Sequence, residues 1–162
     1  MFASLVHSYG LKSAGVMVEV PSAALMAEQF AKEVDFLSVG SNDLTQYTLA
    51  MDRGHPKLAS EIDGLNPAVL LLIQQTVIGA KKHGRWVGVC GGIASDPVAV
   101  PILIGLGITE LSVSVPSIPS IKGLIRRLSF SECTKLAQQA LQQESAADVR
   151  ALVSKILSPE FQ

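Results

Sequence analysis

Three apolar runs in this chain each end in a side chain able to do chemistry. Gly15-Val16-Met17-Val18 ends in Glu19, the run Val34 to Val39 opens into Gly40-Ser41-Asn42-Asp43, and Trp86-Val87-Gly88-Val89 ends in Cys90. Two carboxylates at the ends of neighbouring parallel strands can share one hard cation. Mg²⁺ is the natural occupant, because it takes one or two carboxylates and completes its shell with water and substrate oxygens. The alternative is that each carboxylate caps a helix or pairs with a lysine. Asn42 can donate to a substrate oxygen or stabilise a tight turn. Arg53, in Ala50-Met51-Asp52-Arg53-Gly54, has a planar fork suited to phosphate or carboxylate oxygens, and its simplest alternative is a surface pair with Asp52. Cys90 precedes Gly91-Gly92, where the backbone can approach a ligand closely, so its thiol can be a proton donor, a nucleophile or an inert packed side chain.

Other candidates are weaker. His83 follows Lys81-Lys82 and reads as charge at a helix C-terminus. His55 lies in a loop beside Pro56, and His7 has no evident partner. Cys133 falls inside a helical pattern and reads as packing. No glycine-rich phosphate loop, Ser-His-Asp pattern or zinc-ligand spacing occurs.

The elements that position these groups alternate between strand and helix. Strands are predicted over 15–19, 36–40, 86–90 and 110–113. A helix is predicted from Pro21 to Lys32. Residues 41–65 read as a long connection with a short helix from Thr45 to Ala50. Asn66-Pro67 is a cap and first-turn proline for a strong helix that Gly84 stops, and Asp96-Pro97 repeats that start for a helix ending near Gly105 and Gly107. From Pro119 the chain reads as helical to about residue 157. Ser129-Phe130-Ser131-Glu132 has capping-box spacing, and Ser145-Ala146-Ala147-Asp148 has it more weakly.

Four β-then-α units predict a parallel sheet with right-handed crossovers. Either an open doubly wound sheet or part of a (β/α)8 barrel satisfies that pattern, and both bind ligands at the C-terminal strand ends. A whole barrel takes about 250 residues, so these 162 residues hold roughly half of one. The composition, 48% hydrophobic and 17% charged, fits parallel strands covered on both faces, or a part of a larger domain with core surface uncovered. A net charge of −1 gives no reason to expect nucleic acid or an anionic membrane as partner. No apolar run is long enough to span a bilayer, and the first residues lack a signal-peptide pattern. Two widely spaced cysteines fit free thiols in a reducing cytoplasm.

The run from Gly40 to Arg53, Gly-Ser-Asn-Asp-Leu-Thr-Gln-Tyr-Thr-Leu-Ala-Met-Asp-Arg, resembles the signature of the C-terminal, phosphoenolpyruvate-binding domain of enzyme I of the bacterial sugar phosphotransferase system. Val18-Glu19-Val20-Pro21, Val89-Cys90-Gly91 and Ser112 to Ile118 support the resemblance, which extends from about Ser13 to about Val153. It implies the C-terminal half of a (β/α)8 barrel, with residues 1–162 forming one part-domain and its helical tail. It also implies homodimer contacts, and transfer of the phosphoryl group of phosphoenolpyruvate to a histidine on another domain and on to the carrier HPr, with release of pyruvate. By position, Glu19 and Asp43 would hold Mg²⁺, Asn42 and Arg53 (with Asp43) would meet the substrate, and Cys90 would protonate the enolate carbon. Gly92 departs from the acidic residue usual there, and Cys90-Gly91-Gly92-Ile93-Ala94-Ser95-Asp96-Pro97 is more similar to the multiphosphoryl transfer proteins. The barrel's first half and the histidine domain are not in this sequence, so the isolated chain is expected to be inactive. Two other readings use the same residues: a self-associating structural fragment, and a Mg²⁺-dependent lyase or aldolase acting on pyruvate-like enolates.

Overall fold

The computed structural model describes residues 2–156; the last position of the expected helical tail, residue 157, lies outside them. Four strands, β1 (Gly15–Val18), β2 (Phe36–Gly40), β3 (Trp86–Cys90) and β4 (Glu110–Ser112), form one parallel sheet in the order β1-β2-β3-β4. Gly15 pairs with Phe36, Phe36 with Trp86, Gly40 with Cys90, and Cys90 with Ser112. The register aligns the C-terminal ends of the strands, which sets the polar residues that follow them along one edge.

Nine α-helices occur among the described residues: α1 (Phe2–Ser8), α2 (Pro21–Leu25), α3 (Ala27–Glu33), α4 (Ser41–Leu49), α5 (Pro67–Lys81), α6 (Val100–Leu106), α7 (Ile118–Ile125), α8 (Phe130–Ala140) and α9 (Ala146–Ile156). Val18, Leu37, Val39, Val87 and Val89 point from the sheet into the main core, where they meet Ala27, Leu70, Ile73, Val77 and Leu103 of the helices. The alternate residues lie on the other face, as strand periodicity requires. There Met17 and Trp86 remain 49% and 39% exposed, and Glu110 and Ser112 are exposed. The composition allowed coverage of both faces; the helices cover one. Across the other, Phe36 and Trp86 stack with ring centroids 4.4 Å apart and planes 7° from parallel. Gly15 makes room for the Phe36 ring, since a Cβ there would overlap it.

Several expected elements differ in detail. Glu19 lies one residue beyond β1, and β4 stops at Ser112. The helix expected over 21–32 is two, α2 and α3, joined at Met26 (φ −99°, ψ 13°). The break lets the start of α3 press against α5, where a Cβ on Gly79 would stand 2.6 Å from the Glu28 amide nitrogen. The short helix expected at Thr45 instead starts at Ser41, directly after β2, so only the stretch from Ala50 onward is connection. Its polar first turn is stable as helix because Ser41 Oγ donates to the Cys90 carbonyl (2.6 Å) and Thr45 Oγ1 donates to the Ser41 carbonyl (2.6 Å).

Asn66 caps α5 as expected, accepting from the Ala68 N–H (3.0 Å). Asp96 accepts from Val98 N–H (2.9 Å) in a turn, but α6 begins only at Val100. Ser129 forms no capping box, its hydroxyl meeting Ser131 Oγ instead. The weaker candidate forms half of the box: Asp148 N–H donates to Ser145 Oγ (3.2 Å), and that hydroxyl, in place of the Ser145 backbone N–H, donates to Asp148 Oδ2 (2.5 Å).

Candidate active site

Glu19, Asn42, Asp43 and Cys90 all stand at the C-terminal edge of the sheet. The Glu19 carboxylate lies over Gly40, where a Cβ would come within 2.7 Å of Oε1. The missing side chain at the end of β2 therefore forms the cradle for that carboxylate. Asn42 and Asp43 are in the first turn of α4 and not in a loop. An acidic residue there is favoured by the positive end of the helix dipole.

Asn42 Oδ1 accepts from the Gly92 N–H at 2.9 Å, which leaves its amide nitrogen as the donor available to a ligand. Gly91 between them has φ +92°, and a Cβ on it would collide with Ser41 Oγ and come within 2.9 Å of Asn42 Oδ1. Together with the Ser41–Cys90 hydrogen bond, these contacts lock the exit of β3 to the start of α4.

Arg53 does not pair with Asp52. Its Nη2 reaches back across α4 to Asp43 Oδ1 at 3.1 Å, while Asp52 Oδ1 accepts from the Gly54 N–H at 2.8 Å. The reversal follows from the helix end: Ala50 closes α4 in the left-handed conformation (φ 53°), and Gln46 Oε1 accepts from the Arg53 N–H (3.3 Å). The sequence neighbours Asp52 and Arg53 are thereby separated, and Asn42, Asp43 and Arg53 are brought together.

The Cys90 thiol is partly exposed and donates to the Val39 carbonyl at 3.5 Å. None of the three histidines activates it. His7 bonds Asp35 (3.0 Å), His55 Nδ1 accepts from the Lys57 N–H (3.3 Å), and His83 faces Glu28 at 4.0 Å. A cysteine nucleophile normally relies on such a base or cation; proton donation does not. Cys133 is buried in α8, and burial pushes its thiol pKa up, which agrees with a packing role.

A cleft of about 330 Å³ opens beside α4, lined by Ser41, Asn42, Arg53, Gly92, Asp63 and Arg150 among others. Glu19, Asp43 and Cys90 are not among its lining residues. Arg150, on α9, was not a candidate from sequence. Its Nε and Nη2 grip Asp63 (2.6 and 3.0 Å), and Nη1 reaches Asp96 (2.9 Å). Asp63 ends the long connection that carries Arg53, and Asp96 follows the Gly91-Gly92 turn. Burial of Asp63 opposes its ionisation, but the hydrogen bonds from Arg150 and the Leu65 N–H outweigh it and hold the pKa below the usual carboxylate range. The Asp63 hydrogen bond, with that of Asp96, raises the Arg150 pKa further above its ordinary value against the effect of burial. Locally Asp63 makes only an i,i+2 turn, accepting from the Leu65 N–H (2.9 Å); a partner 87 residues away carries no local signal.

Among the described residues no three His, Cys, Asp or Glu side chains cluster as a closed metal cage. Glu19 and Asp43 are the two carboxylates that follow β1 and β2 at this edge. The Gly40 cradle leaves room for Glu19, and Asp43 meets Arg53 through Oδ1.

A parallel four-stranded α/β sheet with polar residues at the C-terminal ends of its strands defines the class. The particular family follows from comparison: residues 7–130 match the PEP-utilising enzyme, PEP-binding domain. The chain belongs to this family. It is 54% identical over 138 residues to the multiphosphoryl transfer protein of Xanthomonas campestris pv. campestris, a match covering 85% of this chain and 16% of that protein. It is 55% identical to the multiphosphoryl transfer protein of Rhodobacter capsulatus, covering 85% and 17%. It is 47% identical over 141 residues to the phosphoenolpyruvate-protein phosphotransferase of Listeria monocytogenes, covering 87% and 25%. The matches thus span a sixth to a quarter of these relatives' lengths.

Proposed function

We propose that this chain supplies the Mg²⁺ and phosphate corner of a phosphoenolpyruvate–protein phosphotransferase, within the C-terminal half of a (β/α)8 barrel. The observation that carries the reading is the grouping of Asn42 and Asp43 of α4 with Arg53 of the connection that follows it, on the same sheet edge as Glu19 and Cys90. The barrel reading is supported by the sequential strand order and the helices on one face. A doubly wound sheet would reverse its order and carry helices on both faces.

In this reading Arg53 and the Asn42 amide nitrogen bind phosphoryl oxygens, and Arg53 releases Asp43 as it turns to the substrate. Glu19 and Asp43 hold Mg²⁺, which when bound neutralises phosphate charge. The phosphoryl group leaves the enol oxygen for a histidine nitrogen on another domain and passes to HPr. Cys90 then gives its proton to the enolate carbon, forming pyruvate. The parent protein is cytoplasmic and a homodimer. Among the described residues no helix is long and apolar enough to cross a membrane. Gly92 and the sequence around it favour the multiphosphoryl transfer proteins as the subfamily.

The test is a chimera in which this chain replaces the matching segment of a phosphoenolpyruvate-protein phosphotransferase. Phosphoenolpyruvate-dependent phosphorylation of HPr is expected, with a loss of at least about 100-fold in Arg53→Ala, the scale of removing a transition-state charge contact. A folded chimera without transfer, or one indifferent to Arg53→Ala, would refute the assignment. Retro-aldol cleavage by such a chimera without phosphoryl transfer would favour the lyase reading instead.

A further inference from the structure

The connection that carries Arg53 contains no buried residue from 51 to 64. The hydrogen bonds of its middle are internal: the His55 N–H donates to the Asp52 carbonyl, the Ala59 N–H to that of His55, and the Glu61 N–H to that of Leu58. A segment with so little buried surface is ordered by the ties that fix it to firmer elements. Here those ties lie near its two ends. At the first, Arg53 meets Asp43 and its N–H meets Gln46, both on α4. At the second, Asp63 takes two parallel bonds from Arg150 on α9, at 2.6 and 3.0 Å. Gly64 follows, and a Cβ there would stand only 2.5 Å from Ile93 Cγ2.

In the phosphotransferase reading the first tie is a working contact, since Arg53 leaves Asp43 when it turns to the phosphoryl group. The second tie takes no part in that exchange. Each Arg150 nitrogen already holds a carboxylate oxygen, Nε and Nη2 those of Asp63 and Nη1 that of Asp96. Asp96 orients the guanidinium, and is itself fixed by the Val98 N–H on its other oxygen. The helix beneath is a firm base: Val149 and Val153 are 0% and 1% exposed. Arg150 lines the same cleft as Arg53 and Asn42.

We propose that Arg150 is a positioning residue for Arg53. It holds the far end of the connection against the Gly91–Asp96 turn, so the connection stays ordered while Arg53 exchanges Asp43 for the substrate. The proposal rests on the phosphotransferase reading and adds to it a residue of the helical tail. A segment ordered before the substrate arrives does not charge its ordering to the binding step.

Steady-state kinetics of the chimera test it, with circular dichroism checking that each variant folds. Arg150→Ala is expected to raise the KM for phosphoenolpyruvate roughly tenfold, the scale of ordering one long side chain on binding. kcat is expected to change less than about twofold, because the loss is common to ground and transition states. In an Arg53→Ala background the same substitution is expected to move KM less than about twofold, since the group it positions is gone. Loss of fold stability alone would act equally in both backgrounds, and equal effects would overturn the proposal. Asp63→Asn is the second variant. It keeps the turn to Leu65, offers Arg150 one acceptor in place of two, and removes a negative charge from the cleft. Positioning predicts a KM raised at least about threefold, the scale of one hydrogen bond. An unchanged or lowered KM would mean that Arg150 acts by charge and not by position. A folded chimera without transfer refutes the phosphotransferase reading and this proposal with it. Transfer with KM unchanged in both variants refutes the role of Arg150 alone.

Discussion

Arg150 is the side chain whose removal should be felt furthest from its position. It ties α9 to the connection carrying Arg53 and to the turn that Asn42 holds. Arg150→Ala breaks three charge-assisted hydrogen bonds in a partly exposed setting, with an expected loss of about 1–2 kcal/mol in urea denaturation. Arg150→Lys should recover only part, since a lysine cannot grip Asp63 with two parallel bonds. The pH dependence gives a second readout. Asp63 has a depressed pKa in the folded state, so its contribution is present above the unfolded carboxylate value, about 3.9. That contribution is lost as pH falls from there through the lower folded value. Stability measured from pH 5 downward should fall more gently in Arg150→Ala than in the native chain. Equal slopes would mean that Arg150 is not what holds the Asp63 proton off.

At the scale of elements, α6 and α8 pack with their backbones in close approach. A Cβ on Gly105 would overlap the Cys133 carbonyl and stand 2.8 Å from Ala137 Cβ. Gly105→Ala, ordinarily favourable in a helix, should here destabilise by about 1–3 kcal/mol through overpacking. A thermal midpoint at or above that of the native chain would show that the helices stand further apart. Gly105 illustrates what the sequence leaves hidden. It reads as the end of a helix, and its real constraint is a backbone from another element.

The strands were legible because their apolar runs are short, β-rich and bounded by turn residues. The helix α5 was legible because its cap and first-turn proline act locally. The start of α4 was not, because Ser41-Asn42-Asp43 carries turn chemistry that contacts from β3 convert into a helix. The candidate residues Glu19, Asn42, Asp43 and Cys90 were visible as polar exits from buried strands. The Arg53–Asp43 pairing was hidden by the nearer carboxylate of Asp52, and Arg150 by its distance along the chain.

At the scale of the whole molecule, the proposed site is one corner of a rim, and the helices leave one sheet face open. In the proposed parent barrel, further cationic groups opposite Arg53 would be needed to hold the substrate's second charged end. The isolated chain, incubated with phosphoenolpyruvate, Mg²⁺ and HPr, should therefore release no pyruvate above the uncatalysed rate. Turnover by the chain alone would mean that Asn42, Asp43, Arg53 and Cys90 suffice without the rest of a barrel. Either outcome separates what this corner binds from what the complete rim does.

The stack of Phe36 on Trp86 gives the molecule an optical label. Trp86 is the only tryptophan in the chain, and it lies on the uncovered sheet face, half in solvent. Its emission consequently reports on that face alone, without contribution from the helical core. Whatever covers the sheet should shift the emission to shorter wavelength and shield it from iodide quenching. A fluorescence titration can thus follow the closing of this face, residue by residue substituted along either edge, with no dye attached.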